Sequence, residues 1–229
     1  MKDADRGSVA TVCSPASLPQ PYFEKDGITI YHGDCQTILP LVSADVLVTD
    51  PPYGISHKSN RPGAPRRGKQ IENDESTSLR DWCLEFWGER PSVVFGTVKA
   101  SFPKTYRGVL IWDKGGHVGM GDLSFPWKQN WEMIFVSGGG FEGRRGTGVL
   151  HFNAIPPWAG EIKHPHEKPI ALMRELVHKC PKGTVVDPFM GSGTTLDACR
   201  DDGRQAVGIE LEERYCEIAA KRLAQGVLF

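Results

Sequence analysis

The chain alternates short runs of buried-type residues with amphipathic stretches. Ile28-Thr29-Ile30-Tyr31 reads as a strand, Gly33-Asp34 as the turn that ends it, and residues 35–41 as a helical segment. The apolar run from Asp45 to Thr49 is the next strand. Ser76–Arg90 places Leu79, Trp82, Cys83, Phe86 and Trp87 on one helical face. Residues 92–95, 109–112 and 131–136 read as further strands. Pro169–Cys180 reads as a helix with proline in its first turn, followed by strand 184–186, helix 193–202, strand 206–210 and helix 212–224. Near-continuous apolar strands that alternate with helices predict an α/β domain whose mostly parallel sheet is covered on both faces. There is no internal repeat.

Between these elements the pattern breaks in three places. Residues 1–22, rich in Ser, Ala and Pro, predict a disordered tail, leaving 23–229 as one domain. Residues 55–75 predict a long loop whose stretch 56–70 holds Lys58, Arg61, Arg66, Arg67 and Lys69 and no acid. Residues 113–160 are also loop-rich and carry Arg144-Arg145 between glycines. These basic residues are the candidate contacts to a polyanion, because the formal net charge of −1 gives no global attraction.

At 229 residues, 39% hydrophobic and 24% charged, the composition is that of an ordinary globular chain. No apolar run approaches the roughly 20 residues needed to cross a bilayer, and the first residues lack a signal-peptide core. Six cysteines without C-x-x-C spacing predict a reduced, cytoplasmic protein. His164, His166, His178 and Cys180 do not match a zinc spacing, so no metal is expected.

Two strand ends carry the candidate chemistry. After strand 45–49 comes Asp50-Pro51-Pro52-Tyr53: a carboxylate, a rigid turn and an aromatic ring. After strand 184–186 comes Asp187-Pro188-Phe189-Met190-Gly191-Ser192-Gly193-Thr194-Thr195, a glycine turn that opens a helix. Such a turn lets backbone approach a ligand and presents unpaired N–H groups. No lysine follows Gly193, which excludes a Walker phosphate loop. Glu210 ends the next strand, where an acid holds a ribose hydroxyl pair in nucleoside-binding α/β folds. Together these describe a site for an adenosine-type ligand without a pyrophosphate.

With His164-Pro165-His166-Glu167-Lys168-Pro169, the two motifs resemble those of the DNA amino-methyltransferases, in the subset whose D-P-P-Y motif precedes the cofactor motif. The resemblance covers about residues 28–224. It implies a three-layer Rossmann-like methyltransferase fold with circularly permuted motif order, S-adenosylmethionine as cofactor and double-stranded DNA as substrate. By residue, it implies that Asp50, Pro51, Pro52 and Tyr53 are catalytic. Asp187, Phe189, Gly191 and Gly193 lie along the cofactor, Lys168 and Thr194 near its methionine end, Glu210 on its ribose and Asp34 beside its adenine. The D-P-P-Y form implies adenine N6 as the acceptor, with cytosine N4, RNA and a catalytically dead DNA-binding module as alternatives. Members of this subset often pair, which makes a homodimer an expectation. A cysteine that attacks cytosine C5 would have to stand where Asp50 does, so Cys35 is read as a buried small residue.

Overall fold

The computed structural model describes residues 17–53, 76–116, 123–155 and 167–225. Of the expected tail, residues 17–22 fall within it, and the Tyr22 N–H donates to the Ile30 carbonyl.

Nine strands form one sheet: β1 (Phe23–Lys25), β2 (Ile28–His32), β3 (Val46–Thr49), β4 (Ser92–Gly96), β5 (Gly108–Asp113), β6 (Trp131–Ser137), β7 (Val149–His151), β8 (Val185–Asp187) and β9 (Ala206–Glu210). Their spatial order is β1-β2-β9-β8-β3-β4-β6-β5-β7. The stretch from β2 to β4 is parallel throughout. The helices are α1 (Cys35–Ile38, continued by a 3-10 turn at Leu39–Leu41), α2 (Ser78–Trp87), α3 (Ile170–His178), α4 (Thr194–Asp201) and α5 (Glu213–Ala224). None of them is long and apolar enough to cross a membrane.

Successive side chains of a strand point to opposite faces, so a strand covered on both sides must be apolar at every position. Strand β3 satisfies this from Val46 to Val48. Val46 and Val48 join Val93, Phe95 and Val185 in a core built with α3, α4 and α5. Leu47 joins Val94, Val186 and Ile209 in a second core with Cys35, Ile38, Cys83 and Trp87 of α1 and α2. The result is three layers. Each fully buried Leu, Ile, Val or Phe contributes roughly 1.5–3 kcal/mol of transfer free energy. At Gly208 a methyl group would lie 2.4 Å from Met190 Sδ and 2.6 Å from a Leu196 methyl, so only glycine lets the glycine turn and α4 settle on β9.

The connections leaving β3 and β8 diverge. From β3 the chain passes through α2 to β4; from β8 it passes through α4 to β9, in the opposite direction along the sheet. Because β3 and β8 are neighbours, with Val46 opposite Val185 and Leu47 opposite Val186, a crevice opens beyond their C-terminal ends. This is the topological switch point at which ligands bind in open α/β sheets.

The direction of β6 was not legible in its sequence. It runs antiparallel between β4 and β5, pairing Ser92 with Ser137 and Gly96 with Met133. Its first residues therefore stand at the edge where Asp50 lies, and the loop that follows it leaves from the far edge. Arg144 and Arg145 sit in that loop, exposed, between glycines that approach Lys179 at the end of α3. Glu142 N–H also donates to the Lys179 carbonyl at 3.0 Å. The antiparallel strand thus places both arginines on the opposite edge of the sheet from Asp50. Lys58, Arg61, Arg66, Arg67 and Lys69 lie outside the described residues.

Candidate active site

The crevice brings the two strand ends into direct contact. Thr49, the last residue of β3, donates from its hydroxyl to Asp187 Oδ1 at 2.7 Å. Thr195 donates to Asp187 Oδ2 at 2.6 Å and the Phe189 N–H to Oδ1 at 3.1 Å. Asp187 is 2% exposed. Its carboxylate thus holds the turn against β3. Burial pushes this carboxyl up to about 6, against the three hydrogen bonds and with the help of the Asp50 charge.

That shift has a sign that can be measured. With the folded value near 6 and the unfolded one near 3.8, the folded protein binds more protons between these pH values. Stability attributable to Asp187 therefore falls as pH rises through that window, by about 3 kcal/mol for a shift of about two units. Urea denaturation of wild type and Asp187→Asn at pH 4–7 is expected to show this relative decline. Parallel profiles would mean that burial does not govern the group.

The glycine turn takes the left-handed conformation at Gly191 (φ 51°) and Gly193 (φ 80°), where a side chain is strained. A methyl group on Gly193 would also lie 2.8 Å from the Ala219 Cβ, so this glycine seats α4 on α5. Gly191 N–H donates to Glu210 Oε2 at 3.0 Å, and Glu212 N–H to Oε1 at 2.8 Å. Burial raises the Glu210 carboxyl against these amide contacts. Gly33 N–H donates to the Glu210 carbonyl at 2.9 Å, which sets Asp34 beside the same edge. The Asp34 carboxylate caps α1 through Gln36 N–H at 2.8 Å. The Phe189 ring packs on the α1–α2 side and lines one small pocket with Thr49 and Pro51. Thr194 accepts from Arg222 at 3.0 Å.

Around Asp50 is an ionic chain that the motifs only partly foretold. Tyr53 donates its hydroxyl to Asp50 Oδ1 at 2.5 Å, and Lys168 donates to Oδ2 at 2.5 Å. Lys168, expected at the methionine end of the cofactor, has its ammonium on the Asp50 carboxylate. The same ammonium is 3.2 Å from Glu132 Oε2, and Glu132 Oε1 pairs with Lys114. Phe95 and Trp112 line this ammonium at 4.8 and 5.8 Å from their ring centres. Burial works against charge on Lys168, but Asp50 and Glu132 outweigh it and hold the ammonium above its ordinary value. At Glu132 burial likewise loses to Lys168 and Lys114, and the carboxyl lies below its ordinary value. Burial and the two nearby carboxylates push the Tyr53 phenol well above its usual range, so it serves as a neutral donor.

Glu132 and Lys114 were missed in the sequence. The signal was present: an acid at the second position of the otherwise apolar strand 131–136 needs a partner when buried. Cys35 is buried, and burial together with the Asp34 charge pushes its thiol to about 12, which leaves it inert as a nucleophile. Cys35, Cys83, Cys180, Cys199 and Cys216 are free thiols. Among the described residues no group of three or more His, Cys, Asp or Glu side chains is placed to hold a metal; His164 and His166 lie outside them.

Residues 111–221 match the model of the N6/N4 DNA methylase family. Type II methyltransferase M.ScaI of Streptomyces caespitosus is 26% identical over 282 aligned residues, covering 90% of this chain and 84% of its own. Among solved structures, the M1.HpyAVI–SAM complex superimposes with a TM-score of 0.62 at 23% identity, covering 86% of this chain and 100% of that one. The cytosine-N4-specific PvuII DNA methyltransferase gives 0.59 at 16% identity, covering 88% of each chain. These two likenesses show a methyltransferase fold. The family match begins in β5 and ends in α5, and so takes in Glu132, Lys168 and the whole glycine turn. With the strand that leads into the acidic tetrapeptide held against that turn, the chain is similar to the DNA amino-methyltransferases both in this matched segment and in fold.

Proposed function

We propose that this protein transfers the methyl group of S-adenosylmethionine to the exocyclic amine of a base swung out of duplex DNA, and that the base is adenine. The observation that carries this reading is the placement of Asp50 beside the glycine turn at the switch point, through the Thr49–Asp187 contact. S-adenosylmethionine, when bound, supplies an electrophilic methyl on a sulfonium sulfur. The residues fit it. Glu210 ends the strand beside Gly191, and each of its oxygens has a second lone-pair site left for a ribose hydroxyl. The solved relative of the same fold bound to this cofactor supports the assignment.

An exocyclic amine is a poor nucleophile because its lone pair is drawn into the ring. Asp50 accepts one of its N–H bonds and the Pro51 carbonyl the other, which localises the pair on nitrogen. Two prolines fix these acceptors before the base arrives. Tyr53 offers the face for stacking, worth about 1–3 kcal/mol per base, which offsets part of the unstacking cost. As the N–C bond forms, the C–S electrons stay on sulfur, and the surplus amine proton passes to Asp50 or to solvent. The Lys168 ammonium, paired with Asp50 Oδ2 at 2.5 Å, holds the Asp50 carboxylate in place.

The DNA face lies along the same edge. It includes the stretch 123–130 before β6, where Phe125 and Trp127 are 56% and 71% exposed and their rings lie 5.4 Å apart. Exposed Lys128 adds a phosphate contact there, and Lys99 adds another after β4.

Adenine follows from the D-P-P-Y form; cytosine N4 is the second reading, because the family takes in both amines. Incubation with methyl-labelled S-adenosylmethionine and unmethylated DNA, followed by mass spectrometry of the nucleosides, is expected to give N6-methyladenine. N4-methylcytosine would overturn the choice of base. Label on neither, or on RNA alone, would overturn the reading itself.

A further inference from the structure

Arg222, in the last turn of α5, lies just beyond the segment matched by the family model and has no part in either motif. Its side chain is 13% exposed, and its two terminal nitrogens make three polar contacts. Nη1 donates to the Ser192 carbonyl and to the Thr194 hydroxyl, each at 3.0 Å, and Nη2 pairs with the Glu167 carboxylate. The first two belong to the glycine turn. The third belongs to the residue before Lys168, whose ammonium lies on Asp50. One guanidinium therefore spans the two halves of the site from behind.

We propose that Arg222 and Glu167 are positioning residues that fix the spacing between the methyl-donor turn and the Lys168–Asp50 pair. The proposal deepens the methyl-transfer reading and rests on it. Neighbouring α-carbons are about 3.8 Å apart, so displacement of Glu167 is passed directly to Lys168. The planar guanidinium suits the task because its donors form a rigid fork that engages both partners at once. An error of about 1 Å in the placement of reacting groups costs about a hundredfold in rate, so a tie of this kind affects the chemical step more than binding. Its base is itself anchored. Arg200 donates to the carbonyls of Arg222, Leu223 and Gln225 at 3.2–3.4 Å and pairs with Asp197, which lies 4.0 Å from Arg222 Nε.

The test is a double-mutant cycle with Glu167→Gln, Arg222→Ala and the double variant. At saturating S-adenosylmethionine and DNA, each single variant is expected to lose about tenfold to a hundredfold in single-turnover rate. The double variant should lose little more than the worse single, because both act through one contact. Calorimetric affinity for S-adenosylmethionine should change by less than threefold. In the unliganded protein, urea denaturation should show the same coupling, with the double variant's loss in folding equilibrium smaller than the product of the two singles. Arg222→Lys, which keeps the charge and loses the fork, should lie between wild type and Arg222→Ala. Should Arg222→Ala fail to fold, the isosteric Glu167→Gln still decides. A rate within twofold of wild type in that variant, or losses that multiply independently, would overturn the proposal. If wild type itself transfers no methyl group, the failure belongs to the functional reading and not to this tie.

Discussion

Replacing Asp50 with alanine is expected to reduce methyl transfer by on the order of 10³-fold while leaving cofactor affinity nearly unchanged. On the proposed mechanism this carboxylate accepts an amine N–H, and no other acid among the described residues is free to replace it there. Glu132, the next acid, is held by Lys168 and Lys114. Cofactor binding should survive because the glycine turn is held to β3 by Thr49, not by Asp50. Asp50→Asn is the finer probe. It keeps the shape and one acceptor oxygen but loses the ion pair with Lys168. A rate between wild type and Asp50→Ala would mean that acceptance of the hydrogen bond matters beside the charge. Single-turnover assays with calorimetry of the cofactor separate these outcomes, and transfer by Asp50→Ala at the wild-type rate would remove Asp50 from the mechanism.

Much of this site was legible because it lies at strand ends. Apolar runs marked β3 and β8, and each was followed at once by a motif whose residue types have few other uses. Convergence of those strands needed only the general rule about switch points, and the Thr49–Asp187 bond bears it out. What escaped was set by direction and by long-range pairing. The sequence of β6 carries no sign of its orientation, yet that orientation puts Glu132 beside the site and sends Arg144 and Arg145 to the far edge. The three-residue strands β1 and β7 are too short to show a period. Lys168 was placed among the site residues by its motif, but its pairing with Asp50 and Glu132 was not legible. Its approach to Asp50 depends on where α3 begins relative to β3, which local pattern does not encode. Arg222 was invisible for a related reason: a basic residue in the last turn of an amphipathic helix is ordinarily read as a solvated charge.

Lys168→Met is the substitution with the largest expected effect on folding and catalysis together. The ammonium is 8% exposed and stands between two carboxylates, lined by Phe95 and Trp112. Methionine fills much of the space but leaves Asp50 and Glu132 facing one another without a cation between them. Removal of one partner from a buried ion pair costs about 3–5 kcal/mol, because the remaining charge is left uncompensated. Glu132 keeps Lys114 and Asp50 is 26% exposed to water, so the lower end of that range is expected. The loss should depend on pH. Glu132 titrates below its ordinary value in the folded protein, so its stabilisation is present above the usual carboxylate range and fades as pH falls through the lowered value. In Lys168→Met much of that depression disappears, and the gap between variant and wild type should narrow in acid. Transfer should fall by about a hundredfold or more, since Asp50 is no longer held in place. Urea denaturation at pH 4.5 and pH 7.5, with single-turnover rates at the higher pH, measures both effects. A variant as stable as wild type at pH 7.5 would mean that the chain of charges around Asp50 contributes no net cohesion.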